Sequence, residues 1–444
     1  MRTNRQCRTP MQSRTPRRKF LGTAAAATGV AVLSLSSRAE DPKKLKLGLI
    51  GAGWYGNVDA QAALKAGSAG AAGGVEIAAV CDVDSAHLKK SADGFEKAQG
   101  KRPQEFKLYQ ELLDAKGLDA VIIATPPHWH ALQFIAALEK NLDVYCEKPL
   151  GYDIREGRAM VDAAKKAGRI VQVGFQRRQS KAVQAVKEFI DAGSAGKIIQ
   201  VDAQIHYKAG PKDPTPQNPP ETLYWDLWCG PCPKIPYSAQ VGHINWRLEK
   251  TSGHGHLVDW GIHLIDATRK ILGETAPKRV TAAGGLYCLR DKITTPDILT
   301  VHFEFERCPV VWRHRIWGAE EYAPEVSNGI FLYGEKATIV VTDDRWLVIP
   351  AGKAKERQEN KVSGDTGLAH MTEFLNAVRE RKQPSCLIED AHLSTTTVQL
   401  AMIAYETGSA VEWNAATEQI ANNEAASKLL KREYREPWKH PYKG

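Results

Sequence analysis

Short apolar runs separated by stretches of helical periodicity dominate positions 45–175. Leu45 to Ile50 is the first run and Val75 to Asp82 the second, followed by Ala120 to Thr125, Asp143 to Cys146 and Ile170 to Phe175. Runs this short and this uniformly apolar read as buried strands. Helical patterns lie between them, the first extending from a glycine-rich segment at 51–56 to Ala66. Strands alternating with helices predict an α/β fold whose N-terminal part is a doubly wound, Rossmann-type parallel sheet covered on both faces. The small-residue stretch 67–74 predicts a loop. Residues 416–434 are polar with helical spacing, and 435–444 read as a tail.

The first 39 residues stand apart. They hold eight Lys and Arg and no Asp or Glu, and Arg17-Arg18-Lys19-Phe20-Leu21 precedes an apolar stretch from Gly22 to Leu35. A basic segment, a short apolar core and small residues at Ser37 and Ala39 predict a cleavable export signal over 1–39. Its paired arginines resemble the twin-arginine type, which predicts a periplasmic or secreted product. An apolar run of about 14 residues is short of a membrane span, so no stable membrane anchor is expected. The full chain carries 60 Lys and Arg against 51 Asp and Glu; without the leader's eight the count is 52 against 51. The remaining chain is near neutral, which argues against a nucleic-acid partner. Its roughly 405 residues exceed one typical core, so two domains are expected.

Within the first domain, Gly51-Ala52-Gly53-Trp54-Tyr55-Gly56 falls between a predicted strand and a predicted helix. In that setting Gly51 permits the tight turn, Gly53 admits a pyrophosphate, and Gly56 lets the helix pack against the strand. Free N–H groups at the helix start then favour the phosphates. Asp82 ends the second strand, where a carboxylate would accept hydrogen bonds from ribose hydroxyls and repel a 2′-phosphate. Val83 and Asp84 supply no compensating cation, so NAD is favoured over NADP. A capping role for this acidic pair is the competing reading.

Three residues carry the candidate chemistry. Lys148 follows the strand ending at Cys146, and Asp259 and His263 stand at i, i+4, on one face of a helix. A lysine can hold and polarise a substrate oxygen while a histidine moves the hydroxyl proton. The competing reading is a salt-bridged lysine and a helix-capping histidine. His254 and His256 add potential metal donors beside Asp259 and His263; the acid–base reading is preferred, and no metal is expected.

The glycine loop, Ala124-Thr125-Pro126-Pro127-His128-Trp129-His130, Glu147-Lys148-Pro149 and Asp259-Trp260-Gly261-Ile262-His263 together resemble the Gfo/Idh/MocA oxidoreductase family. The resemblance runs from about Leu45 to about Trp413, with Gln176-Arg177-Arg178 and Trp225-Asp226-Leu227-Trp228 resembling its exported, glucose-fructose-oxidoreductase-like branch. It implies that Thr125, Pro126 and His130 lie along the cofactor, with Trp54 and Tyr55 in the same loop. Glu147 and Lys148 would stand near its nicotinamide end. It also implies that residues 176–434 form a substrate and oligomerisation domain on a large open mixed sheet, hence a homo-oligomer.

The expected activity is NAD-dependent oxidation at a CH–OH group of a sugar, polyol or glycoside. Arg177, Tyr207, Trp246, Arg247 and His256 are the expected substrate contacts, with exposed Trp225 and Trp228 as further stacking faces and Arg178 and Asn245 as further donors. Free NAD is not expected outside the cytoplasm, so the cofactor would travel bound and be regenerated in place. NAD-dependent redox-neutral glycoside cleavage and a non-catalytic dinucleotide-binding scaffold are the alternatives. Cys229-Gly230-Pro231-Cys232 matches the thioredoxin motif letter for letter. It lies deep in the second domain between prolines, where it reads as a turn carrying two thiols.

Overall fold

A computed structural model describes residues 44–319, 326–352, 356–421 and 423–444. The expected export signal at 1–39 lies outside the described residues. Six strands, β1 (Leu45–Ile50), β2 (Val75–Cys81), β3 (Gln104–Phe106), β4 (Ala120–Ile123), β5 (Asp143–Cys146) and β6 (Val171–Val173), form a parallel sheet in the order β3-β2-β1-β4-β5-β6. All four residues of β4 and of β5 are buried. Burial on both faces is why these strands read as unbroken apolar runs. β1 pairs with β2 on one side and β4 on the other, so the chain reverses direction across the sheet there. The crevice beyond Ile50 and Ile123 is the place where such sheets bind ligands.

Helix α1 (Trp54–Ser68) leaves the end of β1, and α2 (Ser85–Gln99) leaves the end of β2. The helix Thr366–Glu380, nearly 200 positions past β6, returns to this layer. Its Met371, Phe374, Leu375 and Val378 join Leu47, Ile77, Ile122 and Tyr145 in one apolar cluster. Truncating Phe374, which is fully buried, would cost about 3–5 kcal/mol.

The second sheet uses β7 (Ile198–His206), β8 (Arg279–Gly285), β9 (Ile298–Glu304), β10 (Pro309–Arg315) and β11 (Asn328–Gly334). Its other strands are β12 (Ala337–Val341), β13 (Arg345–Pro350), β14 (Gln358–Lys361), β15 (Val411–Asn414) and β16 (Gln419–Ala421). The order is β14-β13-β12-β11-β7-β10-β9-β8-β15-β16, mixed because β7 and β10 run parallel. Val301, Phe303, Val310, Trp312, Ile330 and Leu332 form its buried face, packed against the helix Ile262–Leu272. The helix Ile388–Thr407 packs on both that helix and Ile154–Ala167 of the first layer. Its almost complete burial fits a position between two bodies. The helical pattern expected at 416–434 is replaced by β16 and a five-residue helix, Glu424–Lys428. Among the described residues no helix is long and apolar enough to cross a membrane.

Candidate active site

A cavity of about 880 Å³ opens at the crevice beyond β1 and β4. Gly51 turns there with φ +93°, and a Cβ on it would stand 2.8 Å from the backbone of Ala124 and Thr125. A Cβ on Gly56 would lie 2.0 Å from the Gly51 carbonyl oxygen, so α1 reaches the strand only with glycine at that position. Gly53 differs: nothing lies within 4 Å of where its Cβ would be. Its missing side chain leaves open space on the cavity wall, as close approach of a pyrophosphate requires. No side chain caps α1 at Gly53, which leaves its first N–H groups for an anion.

Asp82 lines the cavity, and its carboxylate accepts hydrogen bonds from the Ala52 and Asp84 N–H groups at 2.8 and 2.9 Å. Burial pushes it up to about 6 against those two bonds and the nearby His87. Asp82 therefore braces the glycine loop as well as facing the cavity, while Asp84 caps α2 through the Ala86 N–H. Thr125 and Pro126 line the cavity, as do Trp54 and Tyr55. His130 does not; its two ring nitrogens meet the carbonyls of Pro149 and Thr125, each at 2.8 Å. Burial lowers this ring to about 4, so it donates to one carbonyl only. It ties the Thr125 turn to the Lys148–Pro149 turn instead of touching a cofactor.

Trp246 and Arg247 also line the cavity, whereas Lys148, Asp259 and His263 lie behind that lining. Arg247 Nε pairs with Asp259 Oδ2 at 3.1 Å, and Lys148 Nζ donates to Asp259 Oδ1 at 2.9 Å and to the Asp259 carbonyl. Burial alone would raise the Asp259 carboxyl, but Lys148 and Arg247 hold it well below the ordinary range. Asp259 lies in a π-turn, Leu257–Gly261, and His263 in the helix that follows it. Burial, then Lys148 and Arg177, keep His263 neutral, and its Nδ1 has no hydrogen-bond partner among the described residues. An uncharged imidazole beside an anchored ammonium is the pairing that proton transfer at a carbinol needs. Glu147, next in the chain, points into the core, where Gln176 Nε2 donates to its Oε1 at 2.7 Å. Burial pushes it up to about 7.

Of the expected substrate contacts, Tyr207 lies against His256 with ring centroids 4.6 Å apart. Both lie within electrostatic reach of Asp259. Arg177 pairs with Asp343 and influences His263. Two expectations fail. Trp225 and Trp228 are buried and stacked on each other, 4.6 Å between rings, in an apolar cluster with Leu223 and Val241; of the two, only Trp228 lines the cavity. Arg178 is 3% exposed and locked to Asp266 and Asp390, so it supports the fold. His254 bonds the Tyr152 carbonyl at 2.7 Å. Cys229 and Cys232 are free buried thiols, each pushed up to about 11 by burial, with Cys232 donating to the Thr251 carbonyl. Thiols held protonated are poor nucleophiles.

The reading of the sequence missed the part of the cavity formed by the chain's last residues. Residues 435–444, expected as a tail, pack down: Pro437 and Trp438 line the cavity, and Trp438 meets Trp129 edge-on at 5.7 Å. Arg432 bonds Cys232 Sγ and the His128 carbonyl, and Arg435 bonds the carbonyls of Gly230 and Cys232. Tyr434, Trp438, His440 and Tyr442 crowd a stretch of eleven residues, a density unlike a solvated tail. His87, Lys90 and Lys107 also line the cavity, supplying cationic or protonatable groups that the two residues after Asp82 lack.

Residues 45–175 match the family described as "Oxidoreductase family, NAD-binding Rossmann fold". Residues 234–340 match "GFO/IDH/MocA C-terminal domain", and 357–440 match "Oxidoreductase family, C-terminal alpha/beta domain". Inositol 2-dehydrogenase of Salmonella typhimurium is 32% identical over 186 residues, 41% of this chain and 52% of that enzyme. The chain thus spans about half the length of that curated relative. D-glucoside 3-dehydrogenase of Escherichia coli K12 is 24% identical over 354 residues, 76% of this chain and 90% of that enzyme. An oxidoreductase from Agrobacterium radiobacter, solved with NAD+, L-tartaric acid and magnesium, shares the fold at a TM-score of 0.64. It is 20% identical, covering 83% of this chain and 98% of its own.

Proposed function

The chain belongs to the Gfo/Idh/MocA oxidoreductase family, and from that premise we infer that it is an NAD-dependent oxidoreductase acting on a CH–OH group of a sugar, polyol or glycoside. The observation that carries this reading is the Lys148–Asp259 pair at 2.9 Å, joined through Arg247 to the cavity lining, with neutral His263 alongside. The open space at Gly53 and the uncapped start of α1 suit a pyrophosphate, and Asp82, Thr125 and Pro126 suit the remainder of a dinucleotide. Bound NAD would supply the two-electron oxidant, as a hydride acceptor, for the carbinol carbon. Lys148, fixed by Asp259, donates a hydrogen bond to the substrate oxygen as negative charge develops there. His263 takes the hydroxyl proton, so the products are a ketone and a protonated imidazole. Tyr207, Trp246, Arg247 and His256 surround the place where the ring would sit.

The finer reading is that the cofactor stays bound. Trp438 and Pro437 form part of the cavity wall, and export in the folded state, for which Arg17-Arg18 is the expected signal, would leave no pool of free nucleotide to exchange with. Denaturing the purified protein and identifying the released nucleotide tests the cofactor; recovery mainly of NADP would overturn the NAD assignment. Incubation with a panel of sugars and glycosides tests the reaction. The expected product has lost two hydrogens with its skeleton intact, and cleavage of a glycosidic bond without net oxidation would replace this reading with redox-neutral elimination.

A further inference from the structure

Away from the Lys148 pair, at the edge where the two domains meet over Asp82, three potential metal donors converge. Asp84 lies at the N-cap of α2, His87 three residues further on, and His243 in a loop of the second domain. One ligand atom from each can be chosen so that all lie within 4.8 Å of one another. Asp84 Oδ2 and His243 Nε2 are 3.1 Å apart, and the His87 and His243 rings are 4.1 Å apart. In a tetrahedral site with metal–nitrogen distances near 2.0–2.1 Å, donors lie about 3.3 Å from each other. One edge is already near that value, and the other two are no longer than 4.8 Å.

The surroundings favour a cation over a simple ion pair. A second cluster, Asp153, Glu156 and His440, has the same donor types, but Arg432 already supplies its positive charge. At Asp84 no Lys or Arg forms an ion pair among the described residues, and Asp82 stands next to it. The His87 ring nitrogens have no hydrogen-bond partner among the described residues. The donors also sit on a prebuilt frame. The Ser85 N–H donates to the Thr222 carbonyl at 2.9 Å, and the Tyr224 N–H to the Val83 carbonyl at 3.1 Å. These bonds sew the two domains together beside the cluster.

We propose that Asp84, His87 and His243 bind one divalent cation of the zinc, cobalt or nickel type, clasping the second domain to the first at the Asp82 end of the cavity. Two imidazoles and one carboxylate select such borderline ions over magnesium and calcium, which prefer oxygen donors alone. Because His87 and His243 both line the cavity, the bound ion would hold its wall closed and slow nucleotide release. That consequence rests on the proposed function; the cation site does not.

The test is a Co²⁺ titration of the chelator-treated full chain, read by visible absorption. The expected result is an absorption band that saturates at one equivalent and is lost in both His87→Gln and His243→Asn; asparagine tolerates the φ of +40° at position 243. His256→Ala should keep the band, since His256 packs against Tyr207 and His314, away from the three donors. No saturable band up to millimolar Co²⁺, or unchanged affinity in both variants, would overturn the site. Zn²⁺ is expected to slow nucleotide release at least tenfold in the wild type and not in His87→Gln; equal rates would overturn the clasp. A protein that binds Co²⁺ yet carries and accepts no nucleotide would overturn the proposed function and leave the cation site standing.

Discussion

Replacing Glu147 by glutamine probes the buried charge behind the Lys148 turn. Glu147 is 5% exposed and its carboxyl is pushed up to about 7 by burial. In the unfolded chain it titrates near 4.5. Because the folded value is the higher one, the folded protein binds this proton more tightly. The associated stability is fully present below pH 4.5 and is lost as the pH rises through about 7. The gap between 4.5 and about 7 corresponds to about 3 kcal/mol. Glutamine removes that loss but cannot satisfy both partners. Its oxygen can still accept from Gln176, at 2.7 Å in the native protein, leaving its NH₂ against the Lys148 N–H. One unsatisfied buried contact costs about 1 kcal/mol. Glu147→Gln should therefore be less stable than the wild type by about 1 kcal/mol at pH 4.5 and more stable by about 2 kcal/mol at pH 8. Asp59, also buried, is raised by burial and then by the Glu147 charge, so removing that charge adds to the gain at high pH. Thermal unfolding of nucleotide-free protein by circular dichroism at the two pH values reads the sign directly. A difference in midpoint that keeps one sign from pH 4.5 to 8 would refute the reasoning.

Lys148→Met keeps the length of the side chain and removes its charge. Turnover should fall by about two to four orders of magnitude, the scale of a lost acid–base group. Nucleotide content should be unchanged, and near-normal turnover would remove Lys148 from the chemistry. His263→Asn should depress turnover far more than His256→Ala, and equal losses in steady-state kinetics would argue against His263 as the proton acceptor. Gly56→Ala forces a Cβ to within 2.0 Å of the Gly51 carbonyl oxygen. The purified variant should contain little or no nucleotide, measured by absorbance after denaturation.

The first sheet was legible because parallel strands buried on both faces leave long apolar marks in the chain. β3 was not: Gln104-Glu105-Phe106 is a partly exposed edge strand with two polar residues of three. The second sheet leaves weaker marks. Its strands alternate, as in Ile298–Glu304 with its Thr300, His302 and Glu304 interleaved among buried Leu299, Val301 and Phe303. Only the resemblance to a family foresaw its size. In the candidate site, motif position was enough to bring Lys148 and Asp259 together, whereas the i, i+4 spacing of Asp259 and His263 spans a π-turn and gives no hydrogen bond between them among the described residues. Spacing could not separate Arg177 from Arg178, neighbours with opposite fates. Arg178 is claimed by Asp266 and Asp390, 88 and 212 positions away, and no local pattern encodes those partners. Trp225 and Trp228 were misjudged for a related reason. An indole has both an apolar body and a polar edge, so composition alone does not say whether it faces a sugar or a core.

The cavity wall supplied by Pro437 and Trp438 gives assembly of this protein a timetable. The six strands of the first sheet are complete once residue 173 has been made, but Trp438 arrives 265 residues later. At about 5–20 residues per second, that gap lasts about ten to fifty seconds. During it the crevice lacks the wall that Pro437 and Trp438 supply. Only when Arg432 reaches the His128 carbonyl and Arg435 reaches Gly230 and Cys232 does Trp438 settle against Trp129. That wall is therefore the last part of the cavity to be made.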